Sequence, residues 1–134
     1  MIEHTSGIYA IINKTKNKVY IGKTLNIEYR IQQHKSALER NVHFNKEMQK
    51  DFNNKDRFCF IVLEKTNCKN AFSEENNIKE ALYILCCQRY GYNLYNSKRD
   101  YYDSFIIRIC HTNQHFQKLN KAMQQKNRIG TFIN

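Results

Sequence analysis

Proline and tryptophan are absent from this chain of 134 residues, and glycine occurs only four times. Without proline, the breaks between secondary-structure elements must come from asparagine, lysine and those few glycines. The sequence also lacks an apolar run near the ~20 residues of a membrane span, and its start is unlike a signal peptide. We therefore expect an intracellular protein that does not enter a membrane. Its length is that of one domain with a modest core.

Acidic residues are also scarce, with 12 of them against 22 lysines and arginines, which gives a formal net charge of +10. This balance favours a polyanionic partner, with nucleic acid ahead of an anionic membrane surface. The five cysteines are an odd number, and their spacings match no disulfide framework. We expect reduced thiols, as in the cytosol or the nucleus.

Two short segments near the start of the chain, residues 7–13 and 18–23, have the two-residue alternation of β-strands. Each contains one tyrosine, Tyr9 or Tyr20, and an Asn/Lys-rich segment separates them. The pattern predicts a β-hairpin. The alternative is an ordinary hairpin whose tyrosines merely suit pleated strands.

The alternation favours a register for this hairpin in which Ile12 pairs with Val19. Tyr9 then faces Gly22, which leaves open space opposite the phenol. In the same register Tyr20 lies on the same face as Tyr9, as a diagonal neighbour roughly 7–8 Å away. A slip of one residue would place the two tyrosines on opposite faces.

The remaining sequence alternates helical and strand patterns. Residues 26–40 and 45–52 have the caps and spacing of helices, and residues 57–65 are rich in the aromatic and β-branched residues of a strand. A last helix, over residues 73–91, is apolar on all sides in its second half and is predicted to be buried. The sequence thus predicts an α/β (α+β) fold with a small three-stranded antiparallel sheet flanked by helices.

Several polar residues stand at positions where chemistry is possible. Arg30 and His34 are four residues apart, on one face of the first helix, and His43 lies just before the second. Glu80 stands at the edge of the apolar run of the last helix. A carboxylate partly withdrawn from water there needs a cation, either a basic side chain or a metal ion. A simple salt bridge with a neighbouring lysine is the alternative.

Taken in chain order, these residues resemble the pattern of the GIY-YIG nuclease superfamily, and most of all the catalytic domains of phage intron-encoded homing endonucleases. The resemblance spans residues 7–96. It is carried by Gly7-Ile8-Tyr9, Tyr20-Ile21-Gly22, Arg30, His34, His43, Glu80 and Gly91-Tyr92-Asn93. The chain departs from the family at Lys23, where small residues are also found in relatives. The stretch from Glu80 to Asn93 is also slightly shorter than in the homing enzymes.

The resemblance implies the GIY-YIG nuclease fold and a metal-dependent DNA endonuclease. Glu80 would then hold a single Mg²⁺ or Mn²⁺, an ion that keeps waters and substrate oxygens in its shell. Arg30 would bind the non-bridging phosphate oxygens. By the same resemblance Tyr9 takes a proton from the attacking water, and Tyr20 orients it. A free phenol titrates near pH ~10, so Tyr9 would need cationic neighbours to act as a base.

Supporting roles follow from the same resemblance for five further residues. His34 either carries the proton or holds a phenol in place, and with Lys23 it could supply positive charge. His43 supports the site or contacts DNA, and Gly22 and Lys23 lie where substrate binds. Asn93 ties the end of the last helix to the site, or is only a C-terminal cap after a glycine.

Three other functions fit the residues less well. Cys110, His111 and His115 lack the C-x₂-C pair that a zinc site would need. The adjacent cysteines Cys86 and Cys87 suit a buried core better than a redox pair. A non-catalytic, basic nucleic-acid-binding module is the main alternative, but every residue type needed for catalysis is present.

Residues 98–134 extend beyond the resemblance, so we predict a catalytic domain over residues 1–97 and a basic, helical C-terminal extension packed on it. From Ser104 onward there is no acidic residue, and apolar residues recur at four- and three-residue steps. A DNA clamp and the seam of a homodimer are the alternatives to a packed helix. The extension has no recognisable zinc finger or helix-turn-helix.

Overall fold

The computed structural model of the protein describes residues 5–69 and 74–96, together with Lys121. All the strands and helices predicted in this part of the chain are present, so the α/β class is confirmed. The elements are, in chain order, β1 (Ser6–Asn13), β2 (Lys18–Thr24), α1 (Ile27–Glu39), α2 (Lys46–Asn53), β3 (Phe58–Thr66), α3 (Glu74–Arg89) and β4 (Asn93–Leu94).

Within the described ranges the sheet has four strands, in the order β3-β1-β2-β4, so the prediction of three strands is wrong by one. The additional strand, β4, runs parallel to β2, with Asn93 opposite Lys18 and Leu94 opposite Val19. The sheet is therefore not wholly antiparallel. A strand of two residues is too short for a hydrophobic alternation to reveal it.

The predicted register of the β1–β2 hairpin is confirmed. Ile12 lies opposite Val19, and Tyr9 lies opposite Gly22. The other edge of β1 pairs with β3, and the ladder shifts register between Ile8 and Tyr9. Side chains alternate between the two faces of the sheet, which is why this register sends both tyrosines of the hairpin to one side.

Helices cover both faces of the sheet and create two hydrophobic clusters. On one face, alternate residues of β1 and β2 pack against the buried residues of α3, as its apolar composition predicted. On the other face, Tyr9 and Ile11 pack with Ile27 and Leu38 of α1 and with Met48 of α2. Tyr9 therefore belongs to the α1 side, whereas Glu80 is carried by the helix on the opposite side.

Asparagine caps set where α1 and α2 begin. The Asn26 side chain accepts a hydrogen bond from the N–H of Tyr29 at 3.1 Å. Asn45 accepts one from the N–H of Met48 at 3.0 Å. Such caps satisfy backbone donors that have no partner inside the helix. The first cap sets the residue at which α1 begins. His34 lies on the buried face of this helix.

A buried polar network ties the hairpin turn to α2. Asp51 accepts a hydrogen bond from the Tyr95 hydroxyl at 2.6 Å and pairs with Lys16 at 2.6 Å. Asn13 donates to Asp56 at 2.8 Å and to the Tyr95 oxygen at 3.0 Å. The network holds the end of the hairpin remote from Gly22.

The C-terminal extension lies outside the described residues, apart from Lys121, which is helical and exposed. Its packing on the catalytic domain, its contact with DNA and its role in a homodimer stay predictions. None of the helices in the described ranges is long and apolar enough to cross a membrane.

Candidate active site

The phenol of Tyr9 lies in a space that exists because residue 22 is glycine. Tyr9 and Gly22 are paired across the β1–β2 ladder. A Cβ atom at position 22 would overlap the ring and the hydroxyl of Tyr9. The open space predicted opposite the phenol is therefore present, and the phenol fills it.

Tyr9, Tyr20 and His34 form a compact aromatic group on the α1 side of the sheet. The centres of the two tyrosine rings are 6.3 Å apart, and the His34 ring lies 5.5 Å from Tyr9 and 5.7 Å from Tyr20. Tyr9 is almost completely buried, whereas Tyr20 is half-buried. The structure thus brings together three of the predicted catalytic residues.

Hydrogen bonds link Tyr9 to two buried histidines in series. The Tyr9 hydroxyl lies 2.8 Å from Nε2 of His34, and Nδ1 of His34 lies 2.8 Å from Nε2 of His43. Nδ1 of His43 accepts a hydrogen bond from the backbone N–H of Asn45 at 3.0 Å. His43 therefore supports the site through His34 rather than through a direct contact with Tyr9.

Burial favours the neutral form of both histidines. Burial lowers the pKa of His34 to about 3, and the nearby charges of Arg30 and His43 act in the same direction. Burial also lowers the pKa of His43, against the effect of the Asn45 N–H. His34 therefore does not supply the positive charge near Tyr9 that the sequence suggested it could.

Burial raises the pKa of Tyr9 above its ordinary value. The neighbouring Tyr20 and the charge of Glu80 add to this effect, while Arg30 opposes it by its charge and by hydrogen bonding. The cationic side chains alone thus do not make Tyr9 a phenolate at neutral pH. Among these effects, that of Glu80 is the smallest.

Arg30 lies one helical turn before His34 on α1, as predicted. Its guanidinium donates a hydrogen bond to the neutral side chain of Gln33 at 3.2 Å and lies 6.0 Å from the centre of the Phe44 ring. It is partly exposed beside the buried tyrosine. An anionic oxygen can therefore approach it from solvent.

Glu80 projects from α3 toward the end of β2. Its Oε1 lies 3.4 Å from Nζ of Lys23, the residue that follows Gly22. Burial raises the pKa of Glu80, and the charge and hydrogen bond of Lys23 oppose that rise. The lysine predicted as the alternative partner is thus present, and it is also the residue at which the chain departs from the family pattern.

The residues around Glu80 suit one loosely held divalent ion. In the described ranges, no group of three or more His, Cys, Asp or Glu residues could enclose a metal. That excludes a closed protein cage there. A single carboxylate is sufficient for Mg²⁺, which retains waters and shares phosphate oxygens. The partly buried Glu80, which is paired with Lys23, fits such a site.

Three residues that support this site are not evident in the sequence pattern. Asn96 makes two 2.8 Å hydrogen bonds with the backbone N–H and C=O of Ile21, and so continues the edge of β2 beyond β4. Phe44 stacks on His43 with ring centres 4.6 Å apart and is 59% exposed. Asn45 supplies the backbone donor to His43. Their partners are distant in sequence or follow from a loop conformation, so no linear spacing marks them.

Asn93 is not brought into the group around Tyr9. It lies exposed at the start of β4, opposite Lys18. Lys18 and Gly22 are four residues apart on β2, which corresponds to ~13 Å along a strand. The predicted role of Asn93 in the site stays a prediction, whereas the contact with Ile21, next to Gly22, is made by Asn96.

Comparison with known proteins gives concordant results. Residues 5–84 match the family described as the GIY-YIG catalytic domain. The chain is 36% identical over 93 residues to "Intron-associated endonuclease 1" of Enterobacteria phage T4. The aligned region covers 66% of this chain but only 36% of the phage protein. A solved structure, a mutant form of the catalytic domain of the intron endonuclease I-TevI, is similar with a TM-score of 0.51 and 30% identity. That similarity covers 66% of this chain and 92% of the solved one. On the family match and the geometry above, the chain belongs to the GIY-YIG catalytic domain family.

Proposed function

We propose that the chain is the catalytic domain of a metal-dependent DNA endonuclease that hydrolyses phosphodiester bonds. The observation that carries the proposal is the buried phenol of Tyr9 in the space left by Gly22, hydrogen-bonded to His34. The residue after Gly22, Lys23, is paired with Glu80. The net charge of +10 suits a polyanionic substrate. The endonuclease names of the similar proteins support the same function.

In this proposal each side chain has one task. Arg30 binds the non-bridging oxygens of the scissile phosphate, for which its planar guanidinium is well suited. Tyr9 accepts the proton of the attacking water, and Tyr20 orients that water. His34 holds the Tyr9 hydroxyl in place. Glu80 holds Mg²⁺ or Mn²⁺, and the ion, when bound, supplies charge stabilisation for the phosphate and the leaving oxygen.

The raised pKa of Tyr9 does not conflict with a role as base. To act as a base, Tyr9 must first lose its own proton to solvent, and nearby positive charge would favour that loss. A phenolate whose phenol has a raised pKa is in turn a strong base. Burial restricts the access of solvent to Tyr9 in the protein without DNA. The protein without DNA then holds the phenol in its protonated form, ready to be used.

The experiment that tests the proposal is cleavage of supercoiled plasmid and of branched DNA, with Mg²⁺ or with EDTA. We expect nicked or linear products only with the metal. The matched control is Glu80→Gln, which keeps the size of the side chain and removes its charge. We expect this variant to bind DNA with nearly unchanged affinity and to cleave neither substrate.

The second candidate function is a basic module that binds nucleic acid without cutting it. The charge of the chain favours it, but binding alone does not require a buried tyrosine, Tyr9, in the space opposite Gly22. Binding of DNA by the wild-type protein without any metal-dependent cleavage of either substrate would favour the module and contradict the endonuclease.

A further inference from the structure

We propose that His43 is a positioning residue: anchored by the backbone N–H of Asn45, it sets the direction of the hydrogen bonds so that His34 donates to Tyr9. The assignment of the protons rests on geometry alone. Its consequence for catalysis rests on the proposed function, in which Tyr9 is the base.

The direction of the hydrogen bonds can be assigned from the Asn45 end of the series, because the donor role of a backbone N–H is fixed. A backbone N–H can only donate, and the Asn45 N–H points to Nδ1 of His43 at 3.0 Å. Nδ1 must therefore present a lone pair. A neutral imidazole carries one proton, so that of His43 is on Nε2. A doubly protonated ring would set two N–H groups against each other at Nδ1.

The same argument continues along the series. Nε2–H of His43 lies 2.8 Å from Nδ1 of His34, so Nδ1 of His34 is the acceptor. The single proton of the neutral His34 ring is then on Nε2. That nitrogen lies 2.8 Å from the Tyr9 hydroxyl, so it donates to the phenol oxygen.

Asn45 and His43, which begin the series, are themselves held by several hydrogen bonds. The Asn45 side chain caps α2 through the N–H of Met48 and donates to the C=O of Tyr95, both at 3.0 Å. The backbone N–H of His43 donates to Oε1 of Gln49 at 3.0 Å. Only 1% of the surface of His43 is exposed, so these partners are shielded from solvent. A 180° turn of either ring would break the hydrogen bonds of the series.

This direction decides between the two roles that the sequence left open for His34. Nε2 of His34 already carries a proton, so it cannot receive the proton of Tyr9. Instead, the phenol oxygen accepts a hydrogen bond, which stabilises the phenolate that would form during catalysis. The hydroxyl proton of Tyr9 must then point away from His34. His34 and His43 are therefore positioning residues, and His34 is not a proton acceptor.

The assignment can be read directly by long-range ¹H–¹⁵N NMR correlation of the histidine rings, in the full chain without DNA. A protonated ring nitrogen resonates well upfield of a bare one. We expect the Nε2–H form for both His34 and His43. A proton on Nδ1 of His34 would overturn the proposal, whatever the activity of the protein.

Variants of His43 and Asn45 test the consequence. His43→Phe keeps a flat ring against Phe44 but removes both nitrogens. We expect His34 to become a mixture of the Nε2–H and Nδ1–H forms. The cleavage rate should fall by roughly 10–100-fold, as when the partner that orients a functional histidine is lost. His43→Gln, which offers both an acceptor and a donor, should restore most of the rate.

Asn45→Ala is the matched control, because it removes the helix cap but keeps the backbone N–H. We expect a lower melting temperature with unchanged histidine forms. If His43→Phe folds, leaves His34 in the Nε2–H form and cuts DNA at the normal rate, the positioning role is wrong. A normal rate in Tyr9→Phe would instead contradict the proposed base while leaving the proton assignment intact.

Discussion

Tyr9 and Gly22 face each other across the β1–β2 ladder, and the phenol occupies the volume that any side chain at position 22 would need. Gly22, the last residue of Tyr20-Ile21-Gly22, thus makes room for Tyr9, the last residue of Gly7-Ile8-Tyr9. The two segments therefore act together, since one strand supplies the phenol and the other supplies the space that the phenol fills.

Gly22→Ala should therefore impair catalysis without unfolding the domain. The added methyl group must displace the phenol, and a shift of about 1 Å in a reacting group can cost about 100-fold in rate. We expect a loss of that size in plasmid cleavage, with DNA affinity unchanged in a gel-shift assay. A wild-type cleavage rate would mean that the position of the phenol does not matter.

Tyr9→Phe removes one oxygen and should lower the cleavage rate by ~10²–10⁴-fold, the usual contribution of a general base. Tyr20→Phe should also be severe. Circular dichroism should show both variants folded, because each loses only a hydroxyl. Rates near that of the wild type in both would return the tyrosines to an ordinary structural role.

The pH dependence of kcat/KM tests the same residue in another way. Burial raises the pKa of Tyr9, so the phenol is almost fully protonated in the free protein at neutral pH. The basic form then gains about tenfold with each pH unit, and kcat/KM reports the free enzyme. We expect a rise without a plateau from pH ~7 to ~9, which the residual activity of Tyr9→Phe should lack. A plateau near pH ~7 would show that a different group titrates.

The sequence was sufficient for much of this site, and the reasons are local. Two-residue alternation fixed the register of the hairpin, and a three- to four-residue spacing placed Arg30 and His34 on one face of α1. The edge of an apolar run located Glu80. Each of these signals lies within one element, where periodicity and burial are directly connected.

The features that the sequence did not reveal depend on contacts between elements. Asn96 meets Ile21 only because β4 runs beside β2. The neutral state of His34 follows from burial by residues of several elements, which no spacing records. The direction of the His43 ring depends on the backbone of the loop before α2.

Asp51 gives a prediction about stability and pH. Burial alone would raise its pKa, but hydrogen bonds from Lys16 and Tyr95 and the charge of Lys18 outweigh burial and lower it. A lowered pKa in the folded state means that the ionised form stabilises the fold. That contribution is complete above the ordinary carboxyl pKa of about 4 and is lost as the pH falls through the lower value of the folded state.

Asp51→Asn should therefore lower the free energy of unfolding at pH 7 by about 1–2 kcal/mol. This is the usual contribution of a hydrogen bond to a charged group, made smaller here because Lys16 is partly exposed to solvent. The difference from wild type should shrink at pH ~3. Denaturant titration at the two pH values measures it. Glu47→Gln is the control, because Glu47 pairs with Lys18 on the exposed surface and should matter little. An equal loss at both pH values would show that shape rather than charge is involved.

Lys23 connects the structure to the metal that the proposed function requires. Its ammonium group is the cation next to the Glu80 carboxylate, so an incoming divalent ion must displace it or share the carboxylate with it. Lys23→Met keeps the aliphatic stem and removes that competitor. We expect Mn²⁺ to bind roughly two- to fivefold more tightly, since partly exposed ion pairs contribute about 0.4–1 kcal/mol.

Electron paramagnetic resonance of Mn²⁺, titrated into the protein without DNA, measures this affinity directly and does not depend on cleavage. Lys65→Met is the matched control, because it removes the same charge from an exposed position on β3. If both variants gain equally, only net charge is involved. Weaker binding in Lys23→Met alone would mean that the lysine organises the metal site rather than competing with the ion. Glu80→Gln should abolish the binding in either background, since it removes the one carboxylate that we propose as the ligand.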